Sequence, residues 1–411
     1  MSALIELLNS TPSDNTCLYK LYEDYDYSIR SSAGAGEQYG DTEMLFSFDV
    51  PVDNNVAPIQ DMSYMEPYHK YIDDFNSADI INEPILSEEN NRYTIFPIKY
   101  ATIWENYLLQ KKAHWTVDEI DFSKDLHDWE NKLSNSDRIF ILHVLAFFAS
   151  ADGLVNANIK SNLIDTIKIK EAECAYGRQF DMENVHGHIY SLMIDNLVKD
   201  PIIKDKLFNS ITHMPSIKQK SEWCEKWINS DKTYAHKLVA FSVVEGVYFS
   251  GSFASIFWLK TRPGKVMKGL RSSNRFIARD EALHVDLAVR LYHLLKNKLR
   301  AAVVYQIVDE ALLIEIEFIN SSLPCKLLGM NADLMTQYIK YVADALIVRL
   351  GYPKLYNTTN PFEYMDKIDA YVKSNFFEER TDSYSDSKVD NDRTFVIQPW
   401  ALSNNPTGDT N

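Results

Sequence analysis

The feature that most constrains this chain is a pair of tetrads, Glu183-Asn-Val-His186 and Glu281-Ala-Leu-His284. On an α-helix, residues three apart lie on one face. Each tetrad therefore offers a hard carboxylate oxygen and an imidazole nitrogen to the same metal ion. Two such pairs on two helices can hold two ions side by side. Composition tempers the inference, because random placement gives roughly one half to one such tetrad in a chain of this kind. A third, Glu66-Pro-Tyr-His69, contains Pro67 in polar surroundings and reads as a chance match. The other two follow runs with apolar residues at helical spacing, Thr166–Met182 and Ser272–Asp280.

Each tetrad has an upstream acid. Ile139–Val155 is apolar except for His143, Ser150 and Asp152, and Asp152 stands 31 residues before Glu183. Leu238–Leu259 is almost wholly apolar around Glu245, which stands 36 residues before Glu281. An unpaired carboxylate is costly to bury, and a metal gives both acids a reason to be there. Each half thus supplies a helix with one buried carboxylate, then a helix with Glu-x-x-His. That is the arrangement of ferritin-like di-iron and di-manganese carboxylate bundles. Four carboxylates balance two divalent cations in charge. The predicted metal set is Asp152, Glu183, His186, Glu245, Glu281 and His284, and oxygen with nitrogen donors suits iron or manganese better than thiolate-bound zinc or copper.

The rest of the composition narrows the partners. A net charge of −16 argues against nucleic acid, whose phosphates need a basic patch. Residues 1–90 hold 18 acidic and 3 basic residues, so nearly all of that charge belongs to the N-terminal stretch. Four scattered cysteines without a Cys-x-x-Cys pair fit a reducing compartment. The N-terminus lacks a secretory or mitochondrial pattern, and the cytoplasm is the expected location. Leu238–Leu259 is long enough to cross a bilayer, but Glu245 within it favours a buried core helix, with no membrane partner.

Along the chain, residues 1–85 are rich in Asp, Ser, Asn and Tyr and read as a disordered acidic extension. Order is expected to begin near Tyr93. Helical periodicity runs over Ile95–Trp115, Thr116-Val-Asp-Glu119 reads as a cap, and Ser136 is expected to cap a helix from Arg138 to about Thr166. Further helices are expected over 170–199, 202–209, 216–229, 233–259, 265–295, 301–321, 333–350 and 361–372. No period-two alternation persists, so the fold class is all-α: a ferritin-like helical bundle with additional flanking helices over residues 86–373. Residues 374–411 read as a mobile polar tail.

The bundle alone leaves iron storage, desaturation, hydroxylation and radical generation open. Tyr190 lies seven residues after Glu183 and shares its face. A tyrosine there is ordinarily core packing, but beside an oxygen-activating metal pair it can donate one electron. Phe249, Phe253 and Ile277 are expected to wall it, and Asp280 to accept the second N–H of His186.

Several stretches resemble the small, radical-generating subunit of class I ribonucleotide reductase, of the eukaryotic type. They include Phe96-Pro-Ile-Lys-Tyr100, Trp115-Thr-Val-Asp-Glu119, Val144-Leu-Ala-Phe-Phe148, Tyr248–Leu259, Ala278–His284, Lys326-Leu-Leu-Gly-Met330 and Asn375-Phe-Phe-Glu378. The resemblance covers roughly three quarters of the chain. It implies two iron ions per chain (manganese not excluded), with Asp152, Glu183 and His186 at one and Glu245, Glu281 and His284 mainly at the other. It also implies a stable radical on Tyr190, relayed through Trp115 and Asp280 and by Tyr384 to a large subunit that reduces ribonucleoside diphosphates, and a homodimer. The family usually ends in a short acidic-aromatic docking peptide. This chain instead runs through Phe395-Val-Ile-Gln-Pro-Trp400 to a polar terminus. A catalytically silent partner chain is the competing reading, and loss of ligands would be its signature; all six are present.

Overall fold

A computed structural model describes residues 83–262, 264, 266–322, 331–362 and 364–365. Tyr384, the 374–411 tail, Lys326–Met330 and most of the acidic extension and of the expected 361–372 helix lie outside the described residues. Among those described, regular structure is helical throughout, with no strand. The helices are α1 (Ala101–Lys112), α2 (Asp125–Asn131), α3 (Asn135–Asn158), α4 (Lys170–Leu197), α5 (Pro201–Phe208), α6 (Ser210–His213) and α7 (Pro215–Ile228). They continue with α8 (Tyr234–Val243), α9 (Ser250–Trp258), α10 (Lys268–Leu294), α11 (Ala301–Ser322) and α12 (Ala332–Arg349).

The site-bearing core is α3, α4, the α8–α9 run and α10. α3 packs along α4, α10 contacts α4, and α8 and α9 pack on α10. α1 lies against α4 and α10, while α7, α11 and α12 flank the α8–α9 side. Two stretches, Asn135–Ile164 and Tyr234–Thr261, are long and apolar enough to cross a membrane, yet both are largely buried in the bundle. For Leu238–Leu259 this places Glu245 in a protein core rather than in lipid.

Local chemistry moves two boundaries from their expected places. α3 is capped by Ser134 rather than Ser136. The Ser134 hydroxyl accepts from the Asp137 N–H at 3.2 Å, and the Asp137 carboxylate accepts from the Ser134 N–H at 3.0 Å. This reciprocal capping box satisfies two donors that the helix leaves open. Helix α1 starts only at Ala101, because Thr94–Tyr100 is an irregular arm that Pro97 keeps out of a helix. That arm is anchored by the buried Glu171, which accepts from the Arg92 guanidinium and the Lys99 N–H, both at 2.7 Å. Anchoring begins upstream of Tyr93, where the Glu83 carboxylate accepts from the backbone N–H groups of Lys296 and Asn297 at 2.8 and 2.7 Å. The expected cap at Thr116 is present, with Glu119 accepting from the Thr116 N–H at 3.0 Å.

The largest departure from the expected helices is inside the 233–259 run. It is not one α-helix but α8, a π-helical turn at Val244–Tyr248, and α9. A second π-helical stretch, Ile159–Ile164, extends α3. Such turns are rare and concentrate at functional sites. No propensity signal marks them, since they differ from α-helix only in hydrogen-bond register.

Helix α10 is held at its start by α2. The Asp125 carboxylate accepts from the N–H groups of Gly269 and Leu270 at 2.9 and 2.7 Å, and Asp128 accepts from Met267 at 2.9 Å. Gly269 has to be glycine, because a Cβ there would sit 2.6 Å from the Phe122 ring and 2.8 Å from the Asp121 carbonyl. Replacing Asp125 with Ala leaves two buried helix N–H groups without acceptors. Thermal or urea denaturation is expected to show a loss of about 1–3 kcal/mol; an unchanged midpoint would contradict the cap.

Candidate metal centre

The six residues singled out as ligands come together. Asp152 projects from α3, Glu183 and His186 from α4, Glu245 from the π-helical turn, and Glu281 and His284 from α10. None is more than 3% exposed. Their donor atoms form two overlapping groups, Asp152–Glu183–His186 and Glu183–Glu245–Glu281–His284, with each group's atoms within 4.8 Å of one another.

Glu183 belongs to both groups, so its carboxylate stands where it could serve either half. Glu281 also spans the halves: Oε1 is 3.1 Å from Nδ1 of His186, and Oε2 is 2.9 Å from Nδ1 of His284. Glu183 mirrors it, with Oε1 2.9 Å from Nδ1 of His284 and Oε2 3.3 Å from Nδ1 of His186. The two tetrad glutamates occupy the middle, and Asp152 and Glu245 the outside.

The residues fit a metal pair on grounds internal to the structure. Both oxygens of Asp152 and Oε2 of Glu245 are buried with no hydrogen-bond donor on them. Each such orphan is costly, and bound cations would satisfy all three. Each imidazole has its Nδ1 between two carboxylates. The Nε2 of His186 lies 3.2 Å from Oδ2 of Asp280, so it carries the proton and leaves Nδ1 as a donor to metal. All donors are oxygen or nitrogen, as the iron and manganese classes favour.

The electrostatics describe the same frustrated cluster. Burial, and then the charge of Glu183, pushes Asp152 well above the usual carboxylate range. Burial and the charge of Glu281 do the same to Glu245. Glu281 goes the other way: burial raises it, but the charge and hydrogen bonds of the two imidazoles outweigh burial and hold it low. Both imidazoles are raised against the effect of burial, His186 by its hydrogen bonds to Asp280, Glu183 and Glu281, His284 by the charges of Glu183 and Glu281.

Tyr190, one turn beyond His186 on α4, is buried and its hydroxyl has no hydrogen-bond partner. Burial, and next the charge of Asp152, pushes its pKa well up, so the phenol keeps its proton. Its ring stacks on Phe148 of α3, with centroids 4.6 Å apart. Phe249 and Phe253, expected as its walls, pack on Phe148 with centroids 5.8 and 5.1 Å away, the first stacked and the second tilted. Ile277 is buried as well.

Trp115, in the turn after α1, donates from Nε1 to Oδ2 of Asp280 at 2.6 Å and stacks its ring 6.1 Å from that of His186. Asp280 therefore joins His186 to Trp115 through one oxygen, while Arg279 donates to its other oxygen at 3.1–3.2 Å. Burial would raise Asp280, but the hydrogen bond from His186 and the charge of Arg279 keep it low and ionised. Reading the sequence also missed Gln179, fully buried, whose amide donates to Oε1 of Glu245 at 3.1 Å. Its position four residues before Glu183, on the same helical face, was the available signal.

Four helices converging with four carboxylates and two imidazoles on one dry core define a ferritin-like carboxylate–histidine bundle. Residues 92–361 match the family model described as ribonucleotide reductase, small chain. The chain is 59% identical over 378 residues, 92% of its length and 90% of the relative's, to a ribonucleoside-diphosphate reductase small chain of Acanthamoeba polyphaga mimivirus. It is 48% identical over 318 residues, 77% of its length and 94% of the relative's, to the small subunit of Dictyostelium discoideum. The solved Rnr4 homodimer of ribonucleotide reductase from Saccharomyces cerevisiae superposes with a TM-score of 0.65 at 34% identity, covering 79% of this chain and 98% of that one. The chain belongs to the ribonucleotide reductase small-chain family and is an oxidoreductase subunit.

Metal competes with protons here. Burial raises Asp152 and Glu245, and the surrounding acids raise the two histidines, so a cation has to outcompete protons at these groups. Binding of ferrous or manganous ion near neutral pH is therefore expected to release roughly one proton or more per ion, with affinity rising as pH rises. Calorimetry in buffers of different ionisation enthalpy measures this, and uptake of protons would refute it.

Proposed function

We propose that the six residues hold two iron ions per chain and that Tyr190 carries a stable radical. The observation that carries this reading is the phenol of Tyr190, buried beside the cluster with a free hydroxyl and an apolar wall. When bound, the reduced metal pair supplies, with dioxygen, the oxidising power to remove one electron from that phenol.

The chain's own residues do the remaining work. Tyr190 is kept protonated at rest by its buried site and by the neighbouring carboxylates. Phe148, with Phe249 and Phe253 packed on it, keeps water and reductants away from an oxidised ring. Trp115, Asp280 and His186 form a hydrogen-bonded file leading away from the centre. In it, Asp280 can take or return the indole proton while remaining anchored to Arg279. We assign to this file, and to Tyr384 in the tail, the relay of the oxidising equivalent to a large subunit that reduces ribonucleotides.

The partners follow from the family. A small chain supplies the radical and a large subunit binds the substrate, so the two act together. We further propose a homodimer, in keeping with the solved Rnr4 homodimer, with the acidic extension before Glu83 and the 374–411 tail as separate segments. The cysteine usage supports a reducing compartment, and we place the reaction in the cytoplasm.

Ferrous iron and oxygen added to metal-free protein are expected to produce a sharp tyrosyl electron paramagnetic resonance signal. Tyr190→Phe should abolish it while two irons remain bound; a surviving signal would place the radical on another residue. Trp115→Phe and Tyr384→Phe should each keep the radical and reduce turnover with the large subunit to background, and full turnover in either would remove that residue from the relay.

A further inference from the structure

A second buried polar group lies outside the metal centre, between α7, α11 and the α8–α9 run. Lys220 of α7 and Glu315 of α11 form an ion pair of 2.6 Å, with side chains 1% and 0% exposed. The Lys220 ammonium also donates to the backbone carbonyl of Tyr248 at 2.7 Å. It lies over the Phe147 ring at 3.4 Å and the Phe318 ring at 4.1 Å, so it is enclosed by aromatic faces.

What these contacts touch is informative. Tyr248 is the last residue of the π-helical turn whose second residue is Glu245. Three residues further on, Gly251 in the first turn of α9 faces the other Glu315 oxygen. A Cβ at Gly251 would lie 2.6 Å from Oε1 of Glu315 and 2.9 Å from the Ile319 side chain. The pair therefore grips the chain at the end of the π turn and just beyond it. On the other side of the turn, Glu245 meets the metal cluster and the Gln179 amide.

A buried ion pair is a poor stabiliser of a core, since desolvation offsets most of the attraction. Burial lowers Lys220 to about 8 and raises Glu315 to about 7, the mark of that penalty. Apolar residues of similar volume would fill the same space at less cost. A positional role explains the pair better: a π turn is rare and recurs at functional sites, and the pair contacts the chain at the end of this one.

We propose that Lys220 and Glu315 are positioning residues that hold the π-helical turn in register and thereby set where Glu245 stands relative to the other ligands. They touch neither metal nor substrate. The proposal rests on the reading of the six residues as metal ligands, and it extends that reading to two residues on the far side of the helix.

The test uses the full-length protein and metal alone, by calorimetric titration with ferrous ion under anaerobic conditions and by the absorption spectrum of the cobalt(II) form. Lys220→Met combined with Glu315→Leu removes both charges without leaving either one unpaired. It is expected to keep the helical circular dichroism while one of the two ions binds about tenfold or more weakly and the cobalt spectrum changes. Glu315→Gln, which retains an acceptor for Lys220, should bind both ions like the parent. Gly251→Ala, which keeps both charges but drives Glu315 away, should reproduce the weakened site. Unchanged affinity and spectrum in the double variant or in Gly251→Ala would overturn the positioning role. Failure of the parent protein to bind two ions would instead overturn the ligand assignment, and the inference with it.

Discussion

Everything in this molecule depends on four carboxylates that share one dry core. Left alone they repel one another, and burial of even one ionised acid costs several kcal/mol. Two histidine Nδ1 atoms, each about 3 Å from a pair of those acids, mark where positive charge has to lie. Protons can supply that charge and so can divalent cations, and cations would also satisfy the orphan oxygens of Asp152 and Glu245. The bundle is the support for this cluster. α3 and α4 bring one acid and one tetrad, and the α8–α9 run and α10 bring the others.

Polar anchoring at the helix ends holds those supports in place. Asp125 and Asp128 fasten the start of α10, the Ser134–Asp137 box starts α3, and Glu171 ties the 92–100 arm to α4. Around the centre the chemistry is divided by direction. Toward Tyr190 the ring of Phe148 is stacked on the phenol. Toward Trp115 the contacts are hydrogen bonds through Asp280. The same cluster thus has an aromatic neighbour on one side and a hydrogen-bonded file on the other.

Much of the site was legible in the sequence because its signals are local. Glu183 with His186, and Glu281 with His284, are set by the pitch of a helix. Asp152 and Glu245 stand out because an acid in an apolar run has no cheap explanation. Helix boundaries followed periodicity to within a few residues, and the exceptions have local causes: Pro97 shortened α1, and Ser134 rather than Ser136 found a reciprocal partner at Asp137. Phe148 was quoted only as part of a resembling stretch, because its contact with Tyr190 joins two helices and has no signature along the chain.

By itself, then, the sequence determined the all-α class and, through the resembling stretches, the family; spacing along a helix and residue types out of place pointed to the six residues and to the tyrosine to suspect. Only the tertiary structure decided how those pieces share their work. It placed Glu183 and Glu281 between the two halves, set Phe148 directly on Tyr190, joined His186 to Trp115 through a single oxygen of Asp280, and turned the Glu245 helix through a π register braced by Lys220 and Glu315. These are contacts between residues far apart in the chain. Their energies depend on burial and on angles that come into being only when the helices have packed.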